Sequence, residues 1–342
     1  MTSSRTDPAA RGPFPVGVLQ IDLTLPEPVR SGPDGPLPAA CQRVLPTEIW
    51  YPAQPDPTAT EEAPHPLGVR HPASIGLAPI AEACPLIAFS HGNSGLRQQS
   101  TFLTTHLASW GNVVVAPDHV GNTFWEMAAL PDEPARQATH RWIRGQRPLD
   151  LHGVIRVLLD PGSALRNALP PLDPDRLGLL GHSFGGWTVL KVPALEPRVR
   201  AVCCLAPAAE PFVGRRAFAS GELPLPESVE VLVLAARDDV LVDLETSILP
   251  LCERLGPRSR LEVVDRADHF HFCDAIGMLH TMHENNPRPD QPRPTRPLAE
   301  LRSEIEMHAL LRERVSSFFA ASLAAPTDRS DRPEPVPAPD PA

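Results

Sequence analysis

The run Leu179-Leu-Gly181-His182-Ser183-Phe184-Gly185-Gly186-Trp187 sets a serine between two glycines, with an apolar stretch before it and a helix-compatible stretch, Trp187-Thr-Val-Leu-Lys191, after it. This is G-x-S-x-G on a strand-turn-helix, which lifts a hydroxyl above the edge of a sheet. Glycine on either side removes the Cβ atoms that would collide in so tight a turn. Ser183 is therefore the candidate nucleophile. Its hydroxyl attacks well only when a base takes the proton and a carboxylate orients that base; in this kind of scaffold they follow in the order Ser, Asp or Glu, His.

Downstream, the apolar run Glu230–Ala236 ends in Arg237-Asp238-Asp239-Val240, which offers two carboxylates. Val264-Asp-Arg-Ala-Asp-His269-Phe-His271-Phe-Cys273 offers two imidazoles after the last apolar run. Acyl transfer also needs two preorganised N–H donors for the oxyanion, each contributing about 3 kcal/mol. One is expected to be the amide of Phe184. The other belongs to the loop in Leu86-Ile-Ala-Phe-Ser-His91-Gly92-Asn93-Ser-Gly95, where Asn93 is the choice. For His91 a loop-bracing hydrogen bond outweighs a catalytic role.

These motifs resemble the α/β-hydrolase superfamily of serine esterases. The likeness is to the branch of bacterial dienelactone-hydrolase-like proteins and plasma-type platelet-activating-factor acetylhydrolases, with cutinase-like polyester hydrolases more distant. It is carried by Glu48-Ile-Trp-Tyr-Pro-Ala53, Phe89-Ser-His-Gly92, Ala116-Pro-Asp-His119-Val-Gly121 and Gly181-His-Ser-Phe-Gly-Gly186, in family order over roughly residues 14–275. The resemblance selects Asp239 over Asp238 as the acid, with Ala236 replacing a glycine of the acid-strand pattern. Asp238 is then a solvated neighbour or a brace for Arg237. It also selects His269 over His271 as the base. The mammalian plasma-type enzymes carry their acid after the preceding strand, where Cys204-Leu-Ala-Pro207 has no carboxylate; at that point this chain resembles bacterial members instead. Dienelactone chemistry proper uses a cysteine where Ser183 stands. The activity implied is hydrolysis of small to medium carboxylic esters through an acyl-enzyme, with no cofactor. Platelet-activating-factor-like phospholipids and polyesters are the alternative substrates. His91, His119 and Trp125 are the candidate substrate contacts.

Two readings of other classes compete. His269-x-His271 with His280-x-x-His283 has enough imidazoles for zinc, but nothing else matches a zinc-hydrolase motif and no metal is expected. A binding protein that kept the fold without the chemistry is disfavoured because every catalytic position is filled.

Strand-like runs alternate with helical ones around these residues, implying a mostly parallel eight-stranded sheet with helices on both faces. The strands are expected at Val16–Leu25, Val44–Tyr51, Pro85–Ser90, Asn112–Pro117, Arg176–Gly181, Val199–Leu205, Val229–Ala236 and Arg260–Asp265, the first two antiparallel. Helices are expected at about 96–110, 136–159, 184–194, 240–255 and 299–324. Of the 342 residues 44 are proline, and 28 of these fall in 1–85, 287–297 and 326–341. Proline lacks an amide donor and breaks helices, so these stretches mark boundaries. The domain is expected over 14–324, after a flexible 1–13 and before a disordered 325–342. Segments 120–136 and 276–298 are candidate lids. A net charge of −10 without a basic run argues against nucleic acid as partner. No apolar run spans a membrane, and the N-terminal residues lack a signal-peptide core, giving a cytoplasmic expectation. The 6 cysteines have no metal or redox spacing. Oligomeric state is left open.

Overall fold

The computed structural model describes residues 7–325 apart from 28, 211, 215–216 and 287–292. In chain order its strands are β1 (Val16–Thr24), β2 (Val29–Gly32), β3 (Gly35–Cys41), β4 (Val44–Pro52), β5 (Ser74–Ile75), β6 (Cys84–Ser90), β7 (Val113–Pro117), β8 (Leu172–His182), β9 (Val199–Leu205), β10 (Glu230–Ala236) and β11 (Ser259–Val264). The helices are α1 (Thr101–Ser109), α2 (Phe124–Ala128), α3 (Glu133–Leu159), α4 (Phe184–Lys191), α5 (Leu249–Leu255), α6 (Ile276–Glu284) and α7 (Glu304–Ser322).

Among the described residues nine strands form one sheet, ordered β11-β10-β9-β8-β6-β7-β4-β1-β5. From β7 to β11 neighbouring strands are parallel, whereas β4 runs antiparallel to both β1 and β7. The expected eight strands are present. The ninth, β5, is a two-residue edge strand that pairs with β1, too short to carry a periodic signal. The separate ribbon β2–β3 was also unforeseen.

Every residue of β6 and β7 is buried, as a strand covered on both faces must be. Alternation divides their side chains between two cores. Leu86 and Ala88 share one core with α3 and α4, through Leu151, Val154 and Trp187. Ile87 and Phe89 face α1 and α7, through Leu103, Leu107, Leu311 and Phe318. Burying each large apolar side chain contributes about 1.5–3 kcal/mol, so the central strands are the rigid frame for whatever stands at their ends.

Residues 7–13 lie against the C-terminal end of α1. Pro8 O lies 2.9 Å from His106 Nε2, Gly12 N–H donates to Ser109 Oγ at 2.9 Å, and Trp110 Nε1 donates to Ala10 O at 3.0 Å. Proline-rich residues 287–292 and 326–342, which include nearly all of the expected tail, lie outside the described residues.

Candidate active site

Ser183 sits between β8 and α4 at φ 54°, ψ −118°, a conformation that costs a non-glycine residue about 1–3 kcal/mol. The surroundings hold it there. Its N–H donates to Leu205 O at 2.8 Å, and its carbonyl accepts from Ala208 N–H at 2.9 Å and Trp187 N–H at 3.2 Å. The close approach needs glycine: a Cβ on Gly185 would meet Ser90 O at 1.8 Å, and one on Gly181 would meet Gly185 O at 2.3 Å.

Asp239 follows β10 and His269 follows β11, so both arrive at the same end of the sheet as Ser183. The two turns are tied by Asp238 N–H donating to Ala267 O at 2.9 Å. His269 Nδ1 donates to Asp239 Oδ2 at 2.6 Å, and Asp239 Oδ1 accepts the Leu241 and Val242 N–H groups at 2.8 Å each. With Nδ1 occupied, Nε2 is the nitrogen of His269 left for chemistry. Asp238 reaches neither histidine; Arg296 Nη1 lies 3.4 Å from it, while Arg237 pairs with Asp265 instead. His271 Nδ1 is 2.6 Å from Asp268 Oδ1, and His280 Nδ1 is 2.5 Å from Asp268 Oδ2. Burial alone would raise the Asp268 carboxyl, but its bonds to His271 and then His280 bring it down to about 2. That carboxylate braces the histidine turn.

His182 backs the pair. Its Nε2 donates to His269 O at 3.0 Å, and its Nδ1 accepts from Gln99 Nε2 at 2.8 Å. Burial, then the adjacent His269, holds it well below the ordinary histidine value, so it stays neutral. Gln99 spends its other atom on the loop after β6, where Oε1 accepts the Gly92 N–H at 2.7 Å. The Gly92 amide is therefore engaged, and Asn93 carries the next N–H along that loop. Phe184 is the first residue of α4, where helical bonding leaves the amide without an intrahelical partner.

A cavity of about 470 Å³ opens onto Ser183, His269, Gly92 and Asn93. Both segments expected to overhang the site contribute to its walls. From α2 come Phe124 and Trp125, 38% and 64% exposed, and from α6 come Met278 and Met282, 42% and 48% exposed. Pro66, Leu67 and Phe212 add to the apolar lining without having been anticipated. They come from irregular stretches whose approach depends on long-range packing, and no local signal marks them.

His91 and His119 require a correction: neither lines the cavity, and both are fully buried beneath it. His91 Nδ1 donates to Gly92 O at 2.7 Å, while its Nε2 accepts the His119 N–H at 3.0 Å. His119 Nδ1 donates to Asp150 Oδ2 at 3.1 Å and its Nε2 accepts from Ser90 Oγ at 2.9 Å. Both are neutral braces for the loop. Burial keeps them well below the usual histidine range, reinforced by the positive charge of Arg147.

A solved structure, the ferulic acid esterase from Streptomyces cinnamoneus, matches 95% of this chain and 96% of its own, with a TM-score of 0.68 at 25% identity. The chain has the α/β-hydrolase fold. Residues 69–148 match the family model for platelet-activating factor acetylhydrolase, isoform II. A platelet-activating factor acetylhydrolase from Cavia porcellus is 29% identical over 154 residues, 37% of this chain and 35% of the relative. The cutinase est2 of Thermobifida alba is 34% identical over 121 residues, 35% of this chain and 34% of the relative. The chain thus spans about a third of the length of the curated relatives it matches. No described helix is long and apolar enough to cross a membrane.

Proposed function

We propose that this α/β-hydrolase is a serine esterase acting on small to medium carboxylic esters. Ser183 Oγ attacks the acyl carbon while His269 Nε2 takes its proton. Asp239 keeps the Nδ1 proton in place and stabilises the imidazolium. The carbonyl oxygen, now an oxyanion, is held by the amides of Phe184 and Asn93. His269 returns the proton to the departing alcohol, leaving an acyl-enzyme on Ser183. Water, deprotonated by the same histidine, then releases the acid. No step calls for a cofactor.

The observation that carries this reading is the 2.6 Å bond from His269 to Asp239 at the wall of the cavity that Ser183 enters on its strained turn. The relatives support it at the level of bond type: an acetylhydrolase, a cutinase and a ferulic acid esterase are all named for cleaving esters. A volume of about 470 Å³ falls within the 300–1,000 Å³ usual for small-ligand sites, and Trp125 is assigned to the acyl or alcohol wall. The test is a rate series on p-nitrophenyl esters from acetyl to dodecanoyl, with Ser183→Ala as control. A maximum at acetyl to butyryl, abolished by the substitution, supports a short-acyl esterase. A maximum at the longest chains assigns a lipase-like substrate instead, and turnover that survives Ser183→Ala removes the serine mechanism.

A further inference from the structure

The peptide joining Gly92 to Asn93 is planar, so its carbonyl and its N–H point in opposite directions. The Gly92 carbonyl accepts from His91 Nδ1 at 2.7 Å, Gly95 N–H at 3.2 Å and Arg147 Nη1 at 3.4 Å. His91 and Arg147 are fully buried, whereas Asn93 lines the cavity. Holding the carbonyl inward turns the Asn93 N–H outward, toward the substrate space. The preceding peptide obeys the same rule: its carbonyl, His91 O, accepts from Arg147 Nη2, and its N–H, that of Gly92, goes to Gln99.

Arg147 reaches the other side of the site as well. Its Nε donates to Thr188 Oγ1 at 3.1 Å in α4, and its guanidinium carbon lies 4.6 Å from the centre of the Phe184 ring. Nη1 also donates to Asn122 Oδ1 at 2.6 Å, and Asn122 Nδ2 donates to Asn93 Oδ1 at 2.9 Å. One guanidinium therefore touches both segments that carry the amides assigned to the oxyanion. A lysine ammonium has neither the planar fork nor the number of donors for this set. Asp150, itself paired with Arg43 at 2.8 and 2.7 Å, supplies the neighbouring negative charge.

Building on the esterase reading, we propose that Arg147 is a positioning residue: it sets the direction of the Asn93 N–H, and with it the oxyanion site, without touching substrate. The sequence gives no hint of this, since Arg147 sits in α3 among surface arginines of the same spacing, Arg141 and Arg144.

The experiment uses the full chain carrying Arg147→Lys or Arg147→Gln, with three readouts: kcat and KM on p-nitrophenyl acetate, inhibition by a trifluoromethyl ketone, and inhibition by the matching methyl ketone. Ser183 Oγ adds to the fluorinated ketone to form a hemiketal oxyanion, whereas the methyl ketone only occupies the cavity. The expected result is a fall in kcat of roughly 10-fold to 100-fold, the range of a weakened oxyanion donor. Affinity for the trifluoromethyl ketone should fall by the same factor, while KM and methyl ketone affinity hold. A loss shared equally by the two ketones, or an unchanged kcat, overturns the proposal. Should neither variant fold, Thr188→Val and Asn122→Ala each release one arm of the guanidinium. Parallel losses of kcat and trifluoromethyl ketone affinity in those variants support the proposal, and no loss in either quantity overturns it. Wild-type protein that hydrolyses no ester sinks the esterase reading itself, an outcome separate from all of these.

Discussion

Asp239 binds the His269 turn and its own turn at once: Oδ2 receives the His269 Nδ1–H at 2.6 Å, and Oδ1 receives the N–H groups of Leu241 and Val242. The carboxylate cannot swing without losing two backbone bonds, so the imidazole it holds is fixed in one tautomer and one orientation.

Replacing Asp239 with Asn keeps the shape and offers an N–H where the histidine needs an acceptor. The expected outcome is a drop in kcat of about 10³-fold or more, with thermal stability little changed. Asp238→Asn should leave kcat near that of the wild type, because Asp238 faces Arg296 rather than a histidine. Steady-state rates of the two variants decide between the neighbouring carboxylates.

Gly185→Ala forces a methyl group to within 1.8 Å of the Ser90 carbonyl oxygen. Backbone cannot yield there without moving β6 or the serine turn. A destabilisation of at least about 2 kcal/mol is expected, together with loss of esterase activity, and urea unfolding measures it.

Glu48 is fully buried in β4, with Arg97 Nε and His71 Nε2 each 3.6 Å away and the amides of Gln98 and Gln20 on Oε2. Burial outweighs the opposing pull of Arg97 and the two glutamines, and raises its carboxyl from 4.5 to about 7. Between those values the folded chain keeps a proton that the unfolded chain releases. This group's contribution to stability therefore falls as pH rises from about 4.5 to 7 and is flat above. Glu48→Gln should remove that slope and raise stability at pH 8 by up to about 3 kcal/mol. Urea midpoints at pH 5, 6, 7 and 8 test it; a variant less stable than wild type at pH 8 contradicts it.

Trp125 is 64% exposed yet lines the cavity, so its loss costs the fold little. Trp125→Ala should raise KM several-fold for p-nitrophenyl butyrate, leave kcat nearly constant and leave the melting temperature unchanged. A kcat effect without a KM effect would place this ring outside the binding wall.

The serine turn was legible because its glycines leave a compact sequence pattern, although only Gly181 answers to atoms a few residues away; Gly185 is required by Ser90 O in β6 and Gly186 by Pro207 after β9. Asp239 stood out because it follows the continuous apolar run of β10, whereas β11 carries Arg260 and Glu262, so His269 rested on the motif resemblance rather than on the strand pattern. The apolar helix α6 was not. It starts at Ala275 in a left-handed conformation with no capping side chain and contains Gly277, so it lacks the usual start signal. The ribbon β2–β3 was hidden by Pro36 and Pro38, residues that argue against a strand unless it is an edge. His91 and His119 were open to either role because a motif histidine next to a reactive loop looks the same in sequence whether it faces substrate or braces the loop from behind; for His91 the bracing role had the stronger case. Arg147, Gln99 and Phe212 approach the site only through tertiary packing, which no periodicity encodes.

The proposed chemistry stands on Ser183 being an activated nucleophile. Intact-mass measurement after brief exposure to a fluorophosphonate tests it most directly. One adduct is expected on the folded wild-type chain, mapped to Ser183 by peptide digestion, absent in Ser183→Ala and strongly slowed in His269→Ala. No adduct on the folded wild-type protein, or equal labelling of Ser183→Ala, would contradict it.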